Sequence, residues 1–229
     1  MWAVRHGQST ANVAFAAAQE SGSTVPAPGR DRDVALSDLG TAQASALGGW
    51  LAGQASGTGP DLVVCSPYRR ARQTWEEMAD RAAELGAPRV DVLVDERLRD
   101  REMGIFELHP PAALHARAPE EAARRALLGE WHYRPPGGEA FTDVAVRVGQ
   151  FVTDLTAAAP GRRVLVVAHD AVVIALRYVT AGIGAEAPDR LPPVPNASVS
   201  HWRGDGRHLA LVSWGNTSHL IAPTTQGAR

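Results

Sequence analysis

Cysteine is nearly absent from this sequence: Cys65 stands alone among 229 residues. That excludes an intrachain disulfide and a cysteine-built zinc site, and it fits a reducing compartment. Long apolar runs are missing too. No stretch approaches the roughly 20 consecutive apolar residues that span a bilayer, and the first residues have none of the charged, apolar and small-residue pattern of a secretory leader. A cytoplasmic protein, away from the membrane, is expected. Neither sign of charge dominates: the formal net charge is −2 and the isoelectric point about 6.4. No nucleic-acid surface is therefore expected, and any cluster of arginines needs a local cause. Internal repeats and a domain-splitting linker are also lacking. With 45% hydrophobic content the chain can bury a full core, so one domain over 1–229 is expected.

Short apolar runs recur: "MWAV", "DLVVC" ending at Cys65, "VDVLV" ending at Val94, "RVLVVAH" ending at His169 and "HLALVSW" ending at Trp214. Near-continuous runs of this kind suit strands covered on both faces, and helix-like stretches separate them, which predicts an α/β fold. In "CSPYRRARQTWEEMADRAAELG", Ser66 is placed to cap a helix, Pro67 to open it and Gly86 to close it in the left-handed conformation. Further helices are expected from Ser37, from about Glu139 through Leu155, and after His169 with Asp170 as cap. Residues 13–35 and 107–138 interrupt the alternation and read as insertions near the site, either binding loops or surface decoration. "RGDG" before the last strand reads as a hairpin turn.

On this scheme Arg5 and His6 follow the first strand, Ser66 to Arg70 the second, Asp100 the third, and His169 ends the fourth. All lie beyond the carboxyl ends of strands, where open parallel sheets gather their ligands. Placing Arg5 beside His6 is unfavourable for a charged imidazole unless an anion sits between them. Arg5 and Arg70 offer planar charged forks suited to phosphate oxygens, and Arg70 falls in the first turn of a helix whose free N–H groups favour an anion. A phosphoryl group is the natural guest. A neutral imidazole can attack phosphorus, a protonated one can donate to an oxygen, and arginines beside His6 lower its proton affinity.

The strings "VRHGQSTAN", "SPYRRARQT", "ERLRDREMGIF", "PPGGEA" and "VVAHDAV", in that order over residues 4 to about 173, resemble the histidine phosphatase superfamily, the phosphoglycerate mutase-like proteins. The resemblance implies a three-layer α/β sandwich with a mostly parallel central sheet, a phosphohistidine intermediate and no metal or other cofactor. Carried over by position, His6 is the expected nucleophile, Arg5, Arg70 and His169 form the phosphate pocket, and Asn12 helps hold the phosphate. Two positions depart from the family. Asp100 stands where a glutamate usually donates the proton, with Glu102 the nearest substitute. Asp170 stands where glycine is usual. It is expected to turn away and cap its own helix, since a carboxylate facing a phosphate would repel it; if it does not, the pocket would favour a less charged ligand.

Other residues have plainer expectations. Arg69 and Arg72 belong to the surface or to ion pairs. His109, His115, His132, His201, His208 and His219 show no metal-ligand spacing. Cys65 is a small buried apolar group, and Trp2, Trp50, Trp75 and Trp214 are packing residues, whereas Trp131 and Tyr133 sit in the second insertion and could line a pocket. The function expected is a metal-independent phosphomonoesterase acting on a small phosphorylated metabolite. Phosphoglycerate mutase-type transfer is the alternative within enzymes, with Arg117, Arg124, Arg125 and Arg134 available for a substrate carboxylate. A non-catalytic phospholigand-binding module is the alternative outside them. The partner is a small substrate, with a homodimer left open.

Overall fold

The computed structural model describes residues 1–54, 57–188, 194–205 and 208–221. Six strands form one sheet: β1 (Trp2–Arg5), β2 (Leu62–Cys65), β3 (Val92–Val94), β4 (Val164–Ala168), β5 (Val199–Gly204) and β6 (Leu209–Asn216), in the spatial order β3-β2-β4-β1-β5-β6. The first four run parallel to one another, and β5 pairs antiparallel with both β1 and β6. The α/β sandwich with a mostly parallel sheet is thus as expected. β5 had no counterpart among the apolar runs, because "VSHWRG" carries His, Arg and Ser within a short strand.

Side chains alternate across the strands, so the inner strands feed two cores. Leu165 and Val167 of β4 pack with Val4, Val63 and Cys65 against α2 (Asp38–Gly53) and α3 (Arg69–Glu84), through Leu47, Leu51, Trp75 and Met78. Val164, Val166 and Ala168 face the other way, onto α6 (Phe141–Ala158) and α7 (Asp170–Ala181), through Val144, Val148, Phe151 and Leu176. Two edge strands escape this burial. Val92, Leu93 and Val94 of β3 are exposed, as are Leu211 and Val212 of β6, so continuous apolar sequence misleads at the rims of the sheet. No helix among the described residues is long and apolar enough to cross a membrane.

The stretches read as insertions contain regular structure. Residues 13–35 hold most of α1 (Thr10–Ser21) and a 3₁₀ turn at Asp31–Asp33, while 107–138 hold α4 (Pro111–Arg117) and α5 (Pro119–His132). Three helix starts also differ from expectation. Helix α3 begins at Arg69 with Tyr68 in the cap position, and the Ser66 hydroxyl, 2.8 Å from His169 Nε2, accepts the Tyr68 N–H at 3.3 Å just ahead of the first turn. Helix α6 begins at Phe141, because Glu139 is held by Arg147 and Arg99 at 2.9 Å each. Helix α7 has His169, not Asp170, in the cap position. Ser37 caps α2 and Gly86 closes α3 with φ of 85°, both as expected.

Candidate active site

Strand register assembles the site. Arg5 of β1 is level with Ala168 of β4, and Cys65 of β2 with Val167. The next residues, His6, Ser66 and His169, therefore emerge side by side at the carboxyl end of the sheet. The His6 N–H donates to the Ala168 carbonyl at 2.9 Å and the Ser66 N–H to Val167 at 2.9 Å, which extends the ladders into the site. The turn after β1 is strapped to the start of α2. The Ser37 N–H donates to the Gln8 carbonyl at 2.9 Å, and the Gln8 N–H donates to Gln43 Oε1 at 2.8 Å. Gly7 and Gly40 make this approach feasible, since a Cβ on either would collide with backbone of the other segment.

His6 is buried, and its tautomer follows from its neighbours. Nδ1 lies 2.7 Å from the Gly7 carbonyl, which can only accept, so Nδ1 carries the proton. Nε2 receives the Arg70 Nε–H at 3.2 Å, so its lone pair points into the site. Burial, followed by the charges of Arg70, His169 and Arg5, holds the imidazole well below its ordinary pKa, which keeps it neutral. The His6 and His169 ring centres are 5.1 Å apart. His169 is fully buried, with Nε2 2.8 Å from Ser66 Oγ and Nδ1 3.3 Å from Asp100 Oδ2. Its pKa is also lowered, because burial outweighs the opposing pull of the Asp100 carboxylate.

Arg70 is the hub. Nη1 reaches the Asp31 carbonyl at 2.6 Å and Asp31 Oδ1 at 2.9 Å, while Nη2 reaches Asp31 Oδ2 at 3.2 Å and Asp100 Oδ2 at 2.7 Å. With Nε on His6, the guanidinium donates four hydrogen bonds and adds an ion-pair contact to Asp31 Oδ1. Burial alone would raise the Asp100 carboxyl, but the proximity of His169, Arg70 and His6 holds it well below its usual range. Asp31 is shifted upward, chiefly by burial and also by the neighbouring Asp100 charge, against the pull of Arg70. Arg5 donates from Nη1 to the Val194 carbonyl at 2.5 Å, and its buried Nε has no partner among the described residues.

The structure brings Arg5, His6, Arg70, Asp100 and His169 together. Asn12 is placed differently: its side-chain oxygen accepts from the Ser9 N–H and hydroxyl at 3.0 Å each, which caps α1, and from Asn196 Nδ2 at 3.3 Å. Glu102 is half-exposed and pairs with Arg99 at 3.1 Å. Asp170 does not turn away. Its Oδ1 takes the Ala171 N–H, but Oδ2 lies 3.9 Å from Arg5 Nη2 and the residue lines the cavity over the site. Trp131 is buried in the core, stacked near Phe141, whereas Tyr133 lines that cavity. Arg69 is exposed, and Arg72 faces Glu76 at 3.8 Å.

Sequence reasoning passed over Asp31, Ser66 as a partner of His169, Thr74 and Asn196. Thr74 accepts the Gly7 N–H at 3.1 Å and sits one helical turn after Arg70, a spacing that could have revealed it. Asp31 carries no local signal.

Among the described residues, His6, Asp100 and His169 form the one group whose potential metal-ligand atoms converge, within 4.8 Å of one another. The Arg70 guanidinium sits 2.7 Å from Asp100 Oδ2 in the same place, a poor setting for a cation and a good one for an anion.

Comparison with known proteins agrees with this geometry: the histidine phosphatase superfamily (branch 1) matches over residues 1–217. The chain belongs to that superfamily. A glucosyl-3-phosphoglycerate phosphatase of Mycolicibacterium vanbaalenii is 35% identical over 185 residues, covering 76% of this chain and 77% of the relative. A probable phosphoglycerate mutase of Proteus mirabilis is 29% identical over 228 residues, covering 96% and 94%. The solved structure of a mycobacterial glucosyl-3-phosphoglycerate phosphatase in complex with VO3 superposes with a TM-score of 0.74 at 29% identity, covering 95% of this chain and 99% of that one. By family and relatives, the chain is a phosphoric monoester hydrolase of the histidine phosphatase type.

Proposed function

We propose that this chain hydrolyses a small phosphomonoester through a phosphohistidine on His6. The observation that carries the reading is the tautomer: the Gly7 carbonyl fixes the proton on Nδ1 and leaves the Nε2 lone pair directed at Arg70, the anion-binding hub. The phosphoryl group enters against Arg5, Arg70 and His169, replacing the carboxylates that occupy Arg70 at rest. His6 Nε2 then forms the N–P bond as the ester P–O bond breaks, while charge spreading over the phosphoryl oxygens is met by the two arginines.

Asp100 is the proton donor in this reading. At rest it is a carboxylate; a bound phosphate dianion beside it offsets Arg70 and His169 and raises its proton affinity, so that it takes up a proton from solvent as substrate binds and passes that proton to the departing alkoxide. In the second step water attacks phosphorus and passes a proton to Asp100, the N–P bond breaks, and neutral His6 is restored. Asn12, through the Ser9 cap and Asn196, positions the turn that holds His6, since Asn196 also donates to the His6 carbonyl at 3.1 Å.

Return of the phosphoryl group to the substrate, as in a mutase, is less well served. Arg124 faces Glu121 at 3.5 Å, and Arg125 and Arg134 are each 2.5 Å from Glu130 and Asp143, so three of the four arginines available for a substrate carboxylate are already paired. A cytosolic setting accompanies this reading, which a single buried Cys65 with its thiol pushed up to about 12 suits. The test is to quench turnover of a labelled phosphomonoester under alkaline conditions. Acid-labile, base-stable label should appear on the wild-type protein and vanish in His6→Ala, whereas label retained in that variant overturns the mechanism.

A further inference from the structure

Above the phosphate position lies a cavity of about 710 Å³ into which a leaving alcohol would project. Its walls combine apolar surface from Phe15, Met103 and Phe106 with a run of carboxylates. Asp31 and Asp170 stand at the inner end, one on Arg70 and the other near Arg5, and Glu102 and Glu107 lie further out. Counting only the described residues at the inner end, Asp31, Asp100 and Asp170 face Arg5 and Arg70, so carboxylates outnumber permanent cations there before any ligand arrives.

The arginines of the cavity wall do not redress this. Arg101 is buried and spent on Glu130 at 2.6 Å and on the carbonyls of Glu139 and Tyr133 at 2.8 Å each, with its guanidinium over the Phe141 ring. Arg125 is held by the same Glu130 at 2.5 Å. Arg30 and Arg32 also border the cavity but are exposed on its rim, where solvent screens them, and Arg32 faces Asp33 at 3.7 Å. A second anionic group on the substrate would thus leave water for a partly apolar space edged by like charge, where, among the described residues, the one lining arginine without an acidic partner is Arg30 on the exposed rim. Hydroxyl groups, in contrast, find carboxylate acceptors, and an ammonium group finds opposite charge.

We propose that Asp31 and Asp170 are specificity-determining residues that restrict this site to phosphomonoesters whose alcohol carries no anionic group, namely polyol, sugar or amino-alcohol phosphates. The inference rests on the phosphatase reading and adds the class of leaving group to it. Selection acts on the alcohol and not on the phosphoryl group, so the two carboxylates stand beside the reacting atoms without taking part in the bond changes.

Glycerol 3-phosphate and 3-phosphoglycerate provide a matched pair, differing in a hydroxymethyl against a carboxylate. The wild-type protein should favour glycerol 3-phosphate in kcat/KM by about tenfold or more. Asp170→Asn, and separately Asp31→Asn, should narrow the ratio about threefold or more by improving the carboxylate ester relative to the neutral one, whatever happens to absolute rates. Equal or faster hydrolysis of 3-phosphoglycerate by the wild type, or an unchanged ratio in both variants, overturns the proposal. Phenyl phosphate reports separately on the phosphatase reading. If no ester turns over, that reading fails, and calorimetric titration of the same two esters decides the inference: tighter binding of glycerol 3-phosphate supports it, and equal or tighter binding of 3-phosphoglycerate overturns it.

Discussion

Nδ1 of His169 stands 3.3 Å from Oδ2 of Asp100, and the same oxygen accepts from Arg70 at 2.7 Å. One carboxylate oxygen is therefore shared between the two groups that would receive the phosphate. A ligand dianion that draws Arg70 and His169 toward itself must release Asp100, and release raises its affinity for a proton. In the proposed mechanism, phosphate binding and arming of the acid are in this way one event.

This coupling makes the leaving group diagnostic. Asp100→Asn should slow hydrolysis of alkyl phosphates by a factor of about 10² to 10⁴ and leave activated phenyl esters much less affected, because only the poor leaving group needs a proton. Glu102→Gln, which removes only the exposed partner of Arg99, should cost little on either ester. Steady-state rates on a leaving-group series check this; the reverse pattern would move the donor to Glu102, and equal losses on both esters would reduce Asp100 to a positioning role.

Chelators should leave turnover intact. The positive charge that a divalent ion would bring to phosphoryl transfer comes from Arg5 and Arg70, and the one convergent ligand group among the described residues shares its space with a guanidinium. Assay after dialysis against EDTA tests this directly. Loss of activity that a divalent ion restores is the contrary result.

The buried histidines set the acid limb of stability. His6 and His169 have pKa values below the ordinary 6.5, so as pH falls beneath about 6.5 the unfolded chain takes up protons that the folded chain refuses. Stability is at its plateau above that pH and declines below it, by up to about 1.4 kcal/mol per pH unit for each histidine until its folded pKa is reached. The melting temperature should fall between pH 7 and pH 5.5, and His6→Gln should flatten the slope. An equal slope in the variant would assign the acid sensitivity to other groups.

Gly40 tests the strap between the active-site turn and α2. A Cβ there would strike the Gln8 carbonyl, so Gly40→Ala should destabilise by about 1–3 kcal/mol and lower kcat, because the turn that carries His6 must shift. Gly49 lies in the same helix with open space around it, and Gly49→Ala should be neutral or stabilising by up to about 1 kcal/mol. Similar effects of the two substitutions on denaturation midpoint and kcat would remove the strap from the account.

The parallel strands and the residues at their ends were legible because each has a local cause: an apolar run, then a charged or polar residue where the run stops. Ser66 illustrates the limit. Its sequence neighbourhood describes a helix start, where its hydroxyl does accept the Tyr68 N–H, yet nothing local announces that the same hydroxyl also meets a buried imidazole 103 residues away. Asp170 was misjudged for a related reason, since its short side chain satisfies a helix N–H and an arginine across the site at once. Asp31 was invisible because its position depends on the path of a whole insertion. Strand β5 and the exposed rims of the sheet follow from neighbour relations that periodicity along one segment does not contain.

The four hydrogen bonds of the Arg70 guanidinium bear on how the proposed catalytic cycle ends. Inorganic phosphate leaving the site never has to abandon a bare guanidinium, because the Asp31 carboxylate and carbonyl and the Asp100 carboxylate are tethered within reach and take up the same hydrogens as it goes. Departure is thus an exchange of one set of oxygens for another.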